Sequence, residues 1–300
     1  MISMLIASKD NQTIKEIKKL KETKYRKEKF IVEGFKMLQE AVNENAKIEI
    51  IVVRTGNEEL IQNVNNLLKK ITQKHDDVPR LIEVTENVFM QLTDVKTPQG
   101  VLAVIRKNVE DNVSNFENEK DALKECINSK QIDCLNKINT DADYILAIDG
   151  VQDPGNLGTI IRTADSANLK QIIVSKDTVD AYSPKVIRST MGSIYRVKIV
   201  ECEDLANVLN ELKKRKFQIV STSLDTQNSI YDIDYRKKVV VIGNEGNGVS
   251  KEIQDLSDYK VKIPMLGKTE SLNASVATGI MIYEYVRQMC SKNWKLYICY

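Results

Sequence analysis

Residues 144–174 read YILAIDGVQDPGNLGTIIRTADSANLKQIIV, and this stretch decides the fold. Tyr144 to Ile148 is a short apolar run with strand character. The turn formers Pro154 and Gly155 follow, then a helical pattern from Leu157 to Ala167 and a second apolar strand from Gln171 to Val174. The alternation continues downstream. Strands are expected at Val197–Val200, Phe217–Ser221, Val239–Ile242 and Tyr259–Ile263, with helices near Pro184–Met191, Leu205–Lys214 and Ala274–Met289. Short apolar strands alternating with helices argue for a parallel sheet covered on both faces.

Upstream, residues 1–108 repeat the alternation on a smaller scale. Strands are expected at Phe30–Val32, Ile48–Val53, Leu81–Val84 and Gly100–Ile105, and helices at Thr13–Lys21, Phe35–Val42 and Glu58–Ile71. Between the two blocks, residues 109–143 are acidic and rich in Asn, with a short helix possible near Ala122 to Ile127. They read as a linker or insertion. Three hundred residues fit the resulting division into domains 1–108 and 144–300.

The net charge is only +2, but its distribution is uneven: residues 1–108 carry +4, residues 109–143 carry −5, and residues 144–300 carry +3. Lys15 to Lys29 hold eight basic and three acidic residues. Such a cluster suits phosphate neutralisation, although a solvated helix face gives the same pattern. The five cysteines are scattered and His75 is the only histidine. A zinc site, a Ser-His-Asp triad and a Cys-His dyad each need partners this chain lacks, so no metal is expected. Unpaired cysteines, the absence of a signal-peptide core and of any membrane-length apolar run lead to an expectation of a cytoplasmic protein.

Three loops that follow expected strands carry unusual residues, and in open parallel sheets ligands bind beyond the strands' carboxyl ends. The first is 149–158, in which Asn156 is a suitable N-cap for the helix that leads to Arg162. The second, Gly243-Asn244-Glu245-Gly246-Asn247-Gly248, matches neither nucleotide-binding fingerprint, and its carboxylate exceeds what a turn requires. The third runs from Ile263 to Asn273, where Ser271 or Asn273 could cap a long helix that is apolar on most sides.

Taken in order, DGVQDPGNLGTIIRTADSAN, VIGNEGNG and IPMLGKTESLNASVATGIMIYE resemble the three motifs of the SpoU/TrmH family of RNA 2′-O-methyltransferases. Lys15 to Lys29 with Phe30-Ile31-Val32-Glu33-Gly34 resembles the substrate-binding domain of the family's ribosomal-RNA members. The resemblance implies a parallel α/β domain with a trefoil knot, an exception to unknotted topology, preceded by a small α/β RNA-binding domain. It implies a homodimer formed through the C-terminal helix. It also implies S-adenosylmethionine as cofactor, with Gly243, Ile263 and Leu272 at backbone positions that contact it. By the same resemblance Asn156, Arg162, Glu245, Ser271 and Asn273 match catalytic or substrate-orienting positions. A guanidinium is effectively always protonated, so Arg162 is expected to hold a phosphate and stabilise the developing alkoxide rather than act as a simple base. RNA is the expected partner, gripped through Lys15, Lys18, Lys19, Lys24 and Arg26 without sequence readout. The acidic linker and the tail Trp294 to Tyr300 depart from the family pattern.

Several readings compete with ribose methylation of 23S ribosomal RNA. They are a transfer-RNA methyltransferase, a resistance methyltransferase acting on ribosomal RNA, and a non-catalytic RNA-binding protein. A Rossmann dehydrogenase lacks its glycine fingerprint here.

Overall fold

The structure, a computed structural model, describes residues 4–72, 78–107 and 134–290. His75, the helix expected near Ala122 to Ile127, most of the acidic segment and the tail Trp294 to Tyr300 lie outside the described residues.

The N-terminal sheet is mixed. It comprises β1 (Met4–Ile6), β2 (Lys29–Glu33), β3 (Ile48–Arg54), β4 (Arg80–Val84) and β5 (Val101–Arg106), in the order β1-β4-β3-β5-β2. β1, β4 and β3 run parallel, whereas β5 is antiparallel to both β3 and β2. Four helices accompany it: α1 (Gln12–Lys19), α2 (Phe35–Asn43), α3 (Glu58–Thr72) and α4 (Glu86–Leu92). β1 and α4 have no counterpart among the expected elements. A three-residue strand and a seven-residue helix are too short to show periodicity. α1 is amphipathic in a simple way. Asn11 caps it by accepting from Thr13 N, and Ile14 and Ile17, three residues apart, are buried against Val88, Phe89 and Leu92. The basic residues Lys15, Lys18 and Lys19 are thereby left exposed.

The C-terminal sheet is wholly parallel, in the order β11-β9-β10-β6-β7-β8. In chain order its elements are β6 (Tyr144–Asp149), α5 (Pro154–Ser166), β7 (Gln171–Ser175), α6 (Pro184–Thr190), β8 (Lys198–Cys202) and α7 (Leu205–Lys214). They continue with β9 (Gln218–Thr222), β10 (Lys238–Gly243), α8 (Lys251–Leu256), β11 (Tyr259–Val261) and α9 (Ala274–Cys290). The two central strands, β6 and β10, are buried along nearly their whole length, as a sheet covered on both faces requires.

By contacts, the described chain forms two units. Residues 4–72, 78–107 and Asp180–Arg196 form one; residues 134–179 and 197–290 form the other. Asp180–Arg196, which carries α6, thus groups with the N-terminal sheet, and local chemistry explains why. Arg26 is 4% exposed and pairs with Asp180 at 2.7 Å. The Tyr182 ring packs 5.0 Å from Phe30, and Arg196 reaches both Glu40 and Glu44.

Gly243 ends β10 where the chain doubles back on itself. Asn244 and Gly248 exchange backbone hydrogen bonds at 3.0 and 2.9 Å, with Gly248 at φ +68°. A β-carbon on Gly243 would fall inside the Gly248 carbonyl and the Val249 amide, both backbone. Gly243→Ala should therefore cost about 2 kcal/mol or more in urea-unfolding stability. In Gly246→Ala the new methyl would meet only the Asn244 side chain at ordinary contact distance. That variant should stay within about 1 kcal/mol of wild type.

Candidate active site

The turn after β6 and the loops after β10 and β11 leave the same end of the parallel sheet, and one chain of side-chain hydrogen bonds joins all three. Asp153 caps α5, its Oδ1 accepting from Asn156 N at 2.8 Å. The expectation that Asn156 would be the cap is corrected here. Pro154 occupies the first helical turn, where its missing N–H costs nothing, and the residue before it becomes the N-cap. Asn156, displaced into the helix, is free to direct its side chain across the site. Asn156 Nδ2 donates to Glu245 Oε1 at 2.9 Å, and Asn156 Oδ1 accepts from Asn273 Nδ2 at 2.9 Å. Asn273 Oδ1 in turn accepts from Ser275 N, Ser275 Oγ and Val276 N, capping α9.

The polarity of this chain is dictated by its ends. An ionised carboxylate only accepts and helix N–H groups only donate, so each amide between them has a single orientation that satisfies both neighbours. Glu245 completes the arrangement by taking the backbone N–H groups of Gln152 and Asp153, each at 3.1 Å. It thus places a negative charge at the N-terminus of α5. Burial acts to raise the Glu245 carboxyl. The hydrogen bonds from the Asn156 side chain and from the backbone of Gln152 and Asp153 outweigh it, holding the group below the usual Glu value.

Further ties, not foreseen in the sequence, fasten the same loops. Asn244 Nδ2 donates to Gly150 O at 2.8 Å, while its Oδ1 accepts from Gly246 N and Asn247 N. Asp149 Oδ2 accepts from Ser250 N at 2.8 Å. Gly150, at φ +76°, donates to Ser175 Oγ. Asn244 lies inside the glycine-rich loop and Asp149 beside the turn, so composition marks the region without marking the partners.

The remaining expected residues are placed as follows. Arg162 is exposed on α5 and, among the described residues, makes no ion pair or side-chain hydrogen bond. Ser271 is exposed and does not join the Glu245–Asn156–Asn273 chain. Gly243 is buried, and Ile263 and Leu272 are half-buried. Leu224, after β9, and Leu266, after β11, are 68% and 101% exposed. Among the described residues no group of three His, Cys, Asp or Glu is placed to hold a metal ion.

In the other unit, Lys15, Lys18, Lys19 and Lys24 are exposed, with Lys24 Nζ 4.9 Å from the Tyr25 ring centroid. Arg26 is buried instead. Its guanidinium donates to Leu20 O, Lys21 O and Thr23 Oγ1 besides pairing with Asp180, so it braces the turn after α1 and does not face solvent.

The comparison with known proteins adds a decisive match. The chain is 30% identical to a 23S rRNA (guanosine(2553)-2′-O)-methyltransferase of Bacillus subtilis over 93% of this chain and 97% of that one. This chain belongs to the SpoU rRNA methylase family. The family's model matches residues 143–283, and an MRM3-like substrate binding domain matches residues 11–103. An AdoMet-bound rRNA methyltransferase from Sinorhizobium meliloti superposes with a TM-score of 0.75 at 28% identity, covering 96% of this chain and 98% of that one. The SpoU methyltransferase AviRb from Streptomyces viridochromogenes, at 24% identity and a TM-score of 0.73, shares the fold over 94% of this chain and 99% of its own.

Because the folded-state Glu245 carboxyl is depressed, its contribution to stability is complete above the unfolded value of about 4.3 and fades as pH falls below it. Glu245→Gln should therefore lower stability at pH 7 and lose that deficit as pH drops toward 3, read by urea unfolding at each pH. A deficit independent of pH would contradict the charged acceptor.

Proposed function

We propose that this SpoU-family chain methylates a ribose 2′-hydroxyl of 23S ribosomal RNA, with S-adenosylmethionine as methyl donor. The observation that carries the reading is the hydrogen-bonded chain from Glu245 through Asn156 to Asn273, which draws three loops together at the carboxyl end of the parallel sheet.

When bound, the cofactor supplies a methyl group already activated on a sulfonium. Gly243, Ile263 and Leu272 would hold it. The protein then has to position the ribose and ease loss of the hydroxyl proton. Arg162 is the group for that second task. Its exposed guanidinium, without a partner among the described residues, is available to a phosphate next to the target ribose and stabilises the alkoxide as it forms. Asn156, Glu245 and Asn273 keep the loops in register, and Ser271 stands on the same loop as Asn273 to orient the substrate. Only RNA carries the acceptor hydroxyl, and an unpaired nucleotide presents it most openly. The exposed lysines Lys15, Lys18, Lys19 and Lys24 support phosphate contact by the substrate-binding unit. Val276 and Tyr283, about half exposed on α9, suit contact with a second copy of the chain.

Labelled methyl transfer to unmodified ribosomal RNA, with transfer RNA in parallel, tests the substrate, and mapping should find the label on one 2′-oxygen. Label on transfer RNA alone would overturn the ribosomal assignment. Arg162→Ala should reduce turnover at least 100-fold while cofactor affinity stays within about threefold. Weakened cofactor binding with normal turnover at saturation would remove Arg162 from its role. Charge reversal of Lys18 and Lys19 should weaken RNA binding and reduce the salt slope by about 0.7–0.9 for each phosphate no longer neutralised.

A further inference from the structure

Between α1 and β2 the chain makes one short turn, Thr23–Tyr25, and polar bonds fasten it firmly. The buried Arg26 guanidinium donates to Leu20 O at 2.9 Å, Lys21 O at 2.6 Å and Thr23 Oγ1 at 2.8 Å, and pairs with Asp180 at 2.7 Å. Lys21 is tied in turn to Thr93 O and Asp94. Tyr25 N and Arg26 N close the turn on Glu22 O and Thr23 O. A backbone held by several charge-assisted bonds is set in place before any partner arrives.

This fixed turn presents a tyrosine to solvent, for Tyr25 is 42% exposed. Other tyrosines have aromatic neighbours: Tyr182 packs on Phe30, and Tyr144 contacts both Tyr235 and Tyr285. Among the described residues Tyr25 contacts no other ring. Its neighbours are cations. Lys24 Nζ lies 4.9 Å and Lys19 Nζ 5.7 Å from the ring centroid. Lys15 stands one turn before Lys19 on α1, so the basic track continues along the helix. Lys19 makes no ion pair among the described residues. Lys24 pairs with Glu22 at 3.0 Å, but both are largely exposed, and such a pair is readily exchanged for a phosphate.

We propose that the Tyr25 ring is a stacking platform for an unpaired base of the RNA substrate, with Lys19 and Lys24 taking adjoining phosphates. The surroundings select this occupant by chemistry. A cationic partner would meet two ammonium groups beside the ring. A bare anion would satisfy the lysines and leave the ring unused. A single-stranded nucleotide supplies an aromatic face and an anionic backbone together, whereas a duplex hides its base faces. The lysines give up the ring at small cost, because an exposed cation–π contact is weak. This inference rests on the RNA-methyltransferase reading and gives the substrate-binding unit a contact to a base besides its contacts to phosphates.

The test is equilibrium binding of the full chain to a twelve-nucleotide uridine RNA and to an equally long ribose-phosphate oligomer without bases. Thermal unfolding verifies that each variant folds. Tyr25→Ala should bind the uridine RNA roughly tenfold more weakly, while its affinity for the abasic oligomer and both salt slopes stay as in the wild type. Tyr25→Phe keeps the ring and should stay within about twofold of wild type on both. A 2-aminopurine at the centre of the uridine RNA should be quenched on binding by wild type and Tyr25→Phe, and the quench should largely disappear in Tyr25→Ala. Lys19→Gln with Lys24→Gln should do the converse, making the salt slope shallower for both oligomers while the quench is retained. Unchanged uridine affinity in Tyr25→Ala would overturn the proposal. Equal losses on both oligomers would also overturn it and make Tyr25 a support for its lysines. If the wild type bound neither oligomer yet methylated ribosomal RNA, the platform alone would fall. If it did neither, the RNA reading would fall with it.

Discussion

The site depends on a hydrogen-bond chain whose direction cannot be reversed. Glu245 can only accept, and the backbone N–H groups at the start of α9 can only donate, so the amides of Asn156 and Asn273 are each held in one orientation between them. Three loops distant in sequence are thereby fixed to each other by side chains from each. The bonds to the Glu245 carboxylate are charge-assisted but solvent-screened, and the amide–amide bond from Asn273 to Asn156 is neutral, so each contributes about 0.5–1.5 kcal/mol. More to the point, they are geometric. Remove the central amide, and a carboxylate and a helix cap lose their common reference. Preorganisation of this type matters to an enzyme whose cofactor carries the reactive group and whose own task is placement.

The parallel sheet makes the chain possible. With β6 and β10 adjacent and in register from Tyr144↔Lys238 to Asp149↔Gly243, the two strands end level. Asp149 and Asn244 can then tie the loops at their base, through Ser250 N and Gly150 O. Gly243 permits the return of the chain over its own strand, because the Gly248 carbonyl occupies the volume of a β-carbon. The loops are therefore braced at their roots by backbone-directed bonds and at their tips by the Glu245–Asn156–Asn273 chain.

Much of this is legible in the residues. The strands of the parallel sheet are uninterrupted apolar runs, and each expected strand falls within a residue or two of the observed one, as strong periodicity allows. The three loops are visible because Pro, Gly and Asn cluster where turns must be. What stays hidden is side-chain direction. Residue preference alone puts Asn156 at the helix cap, and only the position of Pro154 could move that role to Asp153. Arg26 is one basic residue among eight, and nothing local distinguishes it from Lys24. Its burial depends on Asp180, far along the chain. Pairings of that range leave no periodic trace. The grouping of Asp180–Arg196 with the N-terminal sheet is hidden for the same reason.

A double-mutant cycle between Glu245 and Asn273 tests the central claim most directly. Asn156 stands between the two residues and bonds to each. Glu245→Gln and Asn273→Ala, singly and together, should show a coupling of about 0.5 kcal/mol or more in unfolding free energy. That coupling should vanish when Asn156 is alanine. Additivity within about 0.3 kcal/mol in the wild-type background would contradict the account, because it would mean that the three loops are held independently of the chain that links them.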